Sequence, residues 1–248
     1  MKGKTEQYLL DEIKKKGAIH FTLVDPDKSS GYDCAKIAAE AEKGGSTAIM
    51  IGGSTLASQT DLDEAIKRIK SKVKIPVILF PNGPMGVSKH ADALWFMSLL
   101  NSQNPYYIIE AQMLSAPIVK KIKLESIPMG YIIAGEGCVA GYIGHARPIS
   151  FRHPKIAVGY SLAAEALGMR FVYLEAGSGA PEPIPPTFVG AVTKYVDIPV
   201  VVGGGIRNPQ AALAAKMAGA SAIVTGTLVE EESQVEERIR EMVEAISD

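Results

Sequence analysis

The sequence predicts an α/β protein whose eight parallel strands close into a (β/α)8 barrel. Three observations predict it. Eight short, nearly continuous apolar runs recur along the 248 residues. Helical patterns separate most of them. Glycine-rich turns follow the seventh and eighth runs. Continuous apolar runs, unlike apolar/polar alternation, suit parallel strands covered on both faces. No linker or shift in composition divides the chain, so the expectation is a single barrel domain over residues 1–248. An open doubly wound sheet is the runner-up, because eight strands and the glycine turns at the end suit closure better.

The elements follow in order. MKGKTEQYLLDEIKKKG, at the start, reads as an amphipathic helix and not as a secretory leader. AIHFTLVD (18–25) is the first strand and runs into a proline turn at Asp25. A helix over 32–44 stops at glycine. TAIMIGG (47–53) is the second strand, with Ser54 just beyond it. The next helix, 60–72, carries Asp61 and Asp63 in its first turn and lysines in its last, matching the helix dipole. VILFPN (77–82) and ALWFMS (93–98) are the third and fourth strands. About ten residues separate them, with Pro84 and Gly86 among them, too few for an ordinary crossover helix. MGYIIAG (129–135) is the fifth strand. More than thirty residues then precede FVYLEAG (171–177), so this connection holds a long loop as well as the helix 155–168. VVVGGG (200–205), a helix over 208–219 and AIVTGT (222–227) follow. In the last helix Val235, Ile239, Met242, Val243 and Ile246 share one face.

Composition excludes several classes of function. A formal net charge of -1 gives no bulk attraction to nucleic acid. The apolar runs are too short to cross a bilayer, and a cytoplasmic protein is expected. Cys34 and Cys138 lie far apart with no CxxC or Cys/His cluster, which argues against a structural metal. His20 lies toward the far end of the first strand. His90, His145 and His153 sit in loops without ligand-like spacing, so a histidine-built zinc or iron centre is disfavoured. No strand-end lysine sits in an apolar run to form a Schiff base.

In such a barrel, chemistry gathers where the strands end. Those ends supply Asp25, Gly52-Gly53-Ser54, Pro81-Asn82-Gly83, Ser98, Glu136, Glu175 with Gly177-Ser178-Gly179, Gly203-Gly204-Gly205 and Gly226-Thr227. Paired glycine turns after strands seven and eight, the first opening a helix near Asn208-Pro209, form a phosphate cradle. Backbone N–H groups and a helix dipole face the anion, and a Cβ would hold it away. Glu175 can accept a proton from a substrate hydroxyl or bind a polyol, and Tyr173 shares its face of the strand. Asp25 can ligate Mg²⁺ with help from substrate phosphates, or cap its own turn. Ser54 can add a hydroxyl to the same ion, or cap the next helix.

In chain order, FTLVDPDK, MIGGST, LFPNG, YLEAGSGAPEP, VVVGGGIRNP and VTGT resemble the geranylgeranylglyceryl phosphate synthase family across nearly the whole chain. ALWFMSLLNSQNPYYIIEAQ resembles its larger, often hexameric group. The resemblance implies a modified (β/α)8 TIM barrel with a missing or vestigial helix between strands three and four. It implies a Mg²⁺-dependent prenyltransferase that joins C1 of geranylgeranyl diphosphate to the 3-hydroxyl of sn-glycerol 1-phosphate. The product holds the first ether bond of archaeal membrane lipids, and diphosphate is released. Carried over residue by residue, the glycerol phosphate site comprises Tyr173, Leu174, Glu175, Ala176, Gly177, Ser178, Gly179, Gly204, Gly205, Gly226 and Thr227. Glu175 takes the proton of the attacking hydroxyl, and Asp25 with Ser54 places Mg²⁺. A homo-oligomer is implied, hexamer before dimer.

Leu23 departs from the pattern, standing where some members of the other group carry lysine. Lys28, Lys89, His145 and Arg147 are the candidate cations in its place. A C20 tail needs an apolar channel that Trp95, Phe96, Tyr131, Tyr142 and Tyr160 can line, although Trp95 and Phe96 alternate faces and only one points inward. Two other readings stay open. One is a sugar-phosphate isomerase or synthase using Asp25 and Glu136 as an acid/base pair. The other is a phosphate-binding barrel without catalysis.

Overall fold

A computed structural model of the chain describes residues 2–26, 31–52, 58–226 and 234–247, the side chain of Tyr32 excepted. Eight parallel strands close into a barrel in sequential order. They are β1 (Ile19–Val24), β2 (Ala48–Ile51), β3 (Val77–Leu79), β4 (Ala93–Leu99), β5 (Glu125–Ile133), β6 (Phe171–Glu175), β7 (Val200–Gly203) and β8 (Ala222–Thr225). The described helices are α1 (Lys4–Lys16), α2 (Gly31–Lys43), α3 (Gln59–Lys70), α4 (Ala111–Ile122), α5 (Cys138–Ile143), α6 (Pro154–Ala166), α7 (Pro186–Thr193), α8 (Pro209–Met217) and α9 (Val235–Ile246). None is long and apolar enough to cross a membrane.

The missing crossover is real. Between β3 and β4 there is only a three-residue 3₁₀ turn, Pro84–Gly86. The fifth strand starts earlier than its apolar run does, at Glu125, because Glu125 to Pro128 pair with Ala93 to Phe96 despite their mixed polarity. The Glu125 carboxylate is also used, accepting the Thr5 and Glu6 backbone N–H groups at 2.9 and 2.8 Å. It caps α1, which thereby lies across the N-terminal end of the barrel.

Alternation along the strands divides the apolar residues into two cores. One lies between sheet and helices, and the other fills the barrel. Trp95 points inward, and Phe96 points out toward the helices. The interior is stacked in aromatic layers. Trp95 sits between Phe21 (centroids 6.1 Å) and Phe171 (5.1 Å) in the lower layer. Above it, Phe80, Tyr131 and Tyr173 lie 5.2 to 5.5 Å apart. Each fully buried ring contributes on the order of 2 kcal/mol through area removed from water. The lower layer is a floor, and the upper layer is where the packed interior opens.

His20 belongs to neither layer. It is fully buried, with Nδ1 2.7 Å from Ser46 Oγ and Nε2 2.9 Å from Thr225 Oγ1. Burial lowers its pKa to about 3, so it is a neutral structural link between β1, β8 and the turn before β2.

Candidate active site

Register brings the site together. Ile133, Glu175 and Gly203 stand level on β5, β6 and β7, and one step below them so do Tyr131, Tyr173 and Val201. Glu175 is the last residue of β6 and only 6% exposed. The Gly177 N–H donates to its Oε1 at 2.6 Å, and the Tyr173 phenol is its side-chain neighbour. Among the described residues no cation pairs with it. Burial therefore dominates and pushes the Glu175 carboxyl above the usual carboxylate range, while the bonds from Tyr173 and Gly177 partly offset this. Burial, with the charge of Glu175 second, raises Tyr173 and Tyr131 well above the ordinary phenol. Both phenols stay protonated and can donate.

The glycines after β7 serve these side chains. A Cβ on Gly203 would overlap the Tyr173 hydroxyl, and one on Gly204 would press on Glu175 Oε1 and the Gly177 nitrogen. Gly204 and Gly205 also adopt φ of 82° and 71°, where a side chain is strained. The sequence pattern suggested glycines that make room for phosphate. These contacts show that they also make room for the acid and the phenol. Beyond them Asn208 caps α8, its Oδ1 accepting the Ala211 N–H at 2.8 Å. This aims the positive end of α8 toward the same loop.

A cavity of about 270 Å³ opens above the upper aromatic layer. Its walls include Asp25, Tyr173, Glu175, Ser178, Gly179, Gly204, Gly205 and Gly226. Eight of the expected site residues are thus brought to one space. The side chains of Leu174 and Ala176 instead pack among the helices, and Gly177 contributes through its N–H to Glu175. Ser54, Thr227 and Lys28 lie outside the described residues.

The second arm of the cavity is apolar. Both faces of β4 line it, Trp95 and Met97 from inside and Leu94 and Phe96 from outside, and Val87, Ala111 and Ser115 continue it. It therefore passes out of the barrel into the place that a β3–β4 helix would fill. Three corrections belong here. Tyr142 is 86% exposed and Tyr160 packs against the outer core, so neither lines the cavity. Glu136 is exposed and off the cavity wall, so it makes no acid/base pair with Asp25. Lys89, His145 and Arg147 are exposed and are not on the wall either. The sequence reading missed Arg207, Phe80, Gln112 and the α5 residues Val139 and Ala140, all of which line the cavity. Arg207 was legible as the charged residue two positions after the glycine turn.

Among the described residues no three His, Cys, Asp or Glu side chains converge as a metal cluster. A Mg²⁺ ion held by one carboxylate and the substrate's own phosphates needs no such cluster. Asp25, half-buried at the cavity wall, has the donor chemistry for it.

Comparison with known proteins agrees with this geometry. The family model described as PcrB matches residues 10–246. The chain is 49% identical over 245 residues to a geranylgeranylglyceryl phosphate synthase of Thermofilum pendens, covering 99% of this chain and 96% of that one. The Pyrococcus furiosus protein of the same name is 51% identical over 235 residues, covering 95% and 93%. A crystal structure of (S)-3-O-geranylgeranylglyceryl phosphate synthase from Thermoplasma acidophilum, in complex with its substrate sn-glycerol-1-phosphate, superposes with a TM-score of 0.95 at 42% identity, covering 100% of this chain and 99% of that one.

Proposed function

The chain belongs to the PcrB family, and on that premise we propose that it transfers the geranylgeranyl group from its diphosphate to the 3-hydroxyl of sn-glycerol 1-phosphate. The observation that carries this reading is the two-armed cavity. One arm ends at a buried carboxylate beneath glycine turns, and the other is an apolar groove leaving the barrel between β3 and α4. A small phosphate ester fits the first arm and a long hydrocarbon fits the second.

The phosphate of glycerol phosphate lies against the backbone of Ser178, Gly179, Gly204, Gly205 and Gly226. Its glycerol hydroxyls reach Glu175. The Gly177 N–H holds Oε1 of the carboxylate, which stands at the cavity wall. As the C–O bond forms, Glu175 accepts the proton of the 3-hydroxyl, and its raised pKa makes it a better base near neutrality than an exposed glutamate. Asp25, with Ser54, would hold Mg²⁺, whose chemistry is to neutralise the departing diphosphate. The aromatic faces of Phe80, Tyr131 and Tyr173 line the space where positive charge develops on the allylic carbon, and such faces attract cations. The apolar arm keeps water from competing with the hydroxyl.

The exposed apolar residues Ile109, Met113, Leu114 and Ile118, on and just before α4, support a homo-oligomer; a hexamer before a dimer, and a cytoplasmic place of work, are part of the proposal through the family resemblance alone. The reaction itself is tested by supplying purified protein with Mg²⁺, labelled sn-glycerol 1-phosphate and C10 to C35 prenyl diphosphates. A lipid-soluble product that is largest with the C20 donor is expected. No lipid-soluble product from any donor, in folded protein that binds glycerol phosphate, would overturn the reading.

A further inference from the structure

We propose that Arg207 is a substrate-binding residue whose guanidinium takes the phosphate of glycerol phosphate and closes the glycine cradle over it; the substrate named here rests on the function proposed above. The argument starts from charge. The described wall of the cavity carries two carboxylates, Asp25 and Glu175, and one cationic side chain, Arg207. The space must accept a phosphate monoester and a diphosphate, both multiply charged anions. Backbone N–H groups and the α8 dipole orient an anion, but they supply only about half a positive charge. Full neutralisation of a phosphate beside a buried carboxylate needs a cation.

Position points to the phosphate monoester and not to the diphosphate. Arg207 stands two residues after Gly205 and one before Asn208, the residue capping α8. The same turn therefore presents the backbone of Gly204 and Gly205, the helix end and the guanidinium. Asp25, the residue suited to a metal-bound diphosphate, comes directly after β1. Leu23, on that same strand, faces the cavity with an apolar side chain, so β1 adds no described cation beside the phosphate. Arg207 is also available. It is exposed, and no ion pair or side-chain hydrogen bond engages it among the described residues. Its planar fork of donors matches two phosphate oxygens at once, which a lysine cannot do.

Binding measurements on the full-length protein test this without requiring turnover. The probes are sn-glycerol 1-phosphate and, separately, inorganic phosphate, titrated calorimetrically into the wild type, Arg207→Gln and Arg207→Lys. Because the side chain is exposed, all three should fold alike, and thermal unfolding checks it. The expected result is a Kd for both probes raised at least tenfold in Arg207→Gln, with partial recovery in Arg207→Lys. The KM for the prenyl diphosphate should stay within about twofold and the salt dependence of phosphate binding should be shallower. A Kd within twofold of the wild type, or a rise confined to the KM of the prenyl diphosphate, would overturn the assignment. Arg207-dependent phosphate binding in a protein that makes no prenylated product would sink the proposed function and leave the Arg207 assignment standing.

Discussion

Two buried glutamates at opposite ends of the barrel show how the same side chain is used for structure and for chemistry. Glu6, on α1 below the floor, is 0% exposed and forms an ion pair with Arg170, whose Nε lies 2.5 Å from Oε1. Its helix is capped by Glu125, and the pair joins α1 to the residue just before β6. Glu175, at the other end of β6, is almost as buried, yet it has only a phenol and one backbone N–H as partners. A compensated charge holds two elements together. An uncompensated one is held at a cost in stability and has a raised proton affinity, which is what a base needs. The surroundings differ in the same sense. Trp95, Phe21 and Phe171 fill the lower level, while glycines and a cavity surround the upper one.

Substitutions at the two ends of the barrel should have opposite consequences for stability and turnover. Short of replacing Glu175 itself, the largest effect is expected from Gly203→Ala. The added methyl would push the Tyr173 hydroxyl off its place beside Glu175, and kcat should fall by about 10- to 100-fold, less than the roughly 10²- to 10⁴-fold of losing the acid/base group itself. Steady-state kinetics checks it, and an unchanged kcat would mean Tyr173 does not need that place. At the lower end, Glu6→Gln leaves Arg170 without its counter-charge. Unfolding should become easier by about 2–3 kcal/mol, below the roughly 3–5 kcal/mol of a broken, fully buried pair because Arg170 is partly exposed. Calorimetry should show the loss, with kcat of the folded fraction unchanged.

Glu175→Gln should act in the opposite direction on stability. Its folded pKa lies above the unfolded value, so ionised Glu175 weakens the fold as pH rises through that raised pKa, and the penalty disappears on acidification. At pH 8 the variant should melt about 2–4 °C higher, corresponding to roughly 1 kcal/mol in a chain of this size. At pH 4 the difference should vanish. A lower melting temperature at pH 8 would mean that Tyr173 and Gly177 compensate the charge in full. The smallest effect is a control. Gly159 lies inside α6 with open space where a Cβ would go. Gly159→Ala should stabilise by about 0.5–1 kcal/mol through helix propensity alone, with kinetics unchanged.

Much of this was legible in the sequence, for identifiable reasons. Strand runs such as VVVGGG are buried on both faces, so their hydrophobicity is continuous and easy to recognise. The short third connection announced the absent helix through Pro84 and Gly86. Glu175 stood out as a charged residue ending an apolar run. Glu125 to Pro128 escaped because strand pairing with β4, and not burial, defines them. The walls of the apolar arm escaped because Gln112, Ser115 and Val139 come from α4 and α5, and no local pattern says which helix face meets a cavity. Tyr142 misled for the converse reason. A tyrosine suits a lipid channel and an exposed surface equally well, and only the path of α5 decides.

The most direct test of the account is turnover by Glu175→Gln with both substrates saturating, measured beside its affinity for sn-glycerol 1-phosphate. If the uncompensated carboxylate is the base, turnover falls by about 10²- to 10⁴-fold while that affinity stays within about threefold. Turnover equal to the wild type would contradict it, and Glu175 would then be a buried hydroxyl ligand with no part in the proton transfer.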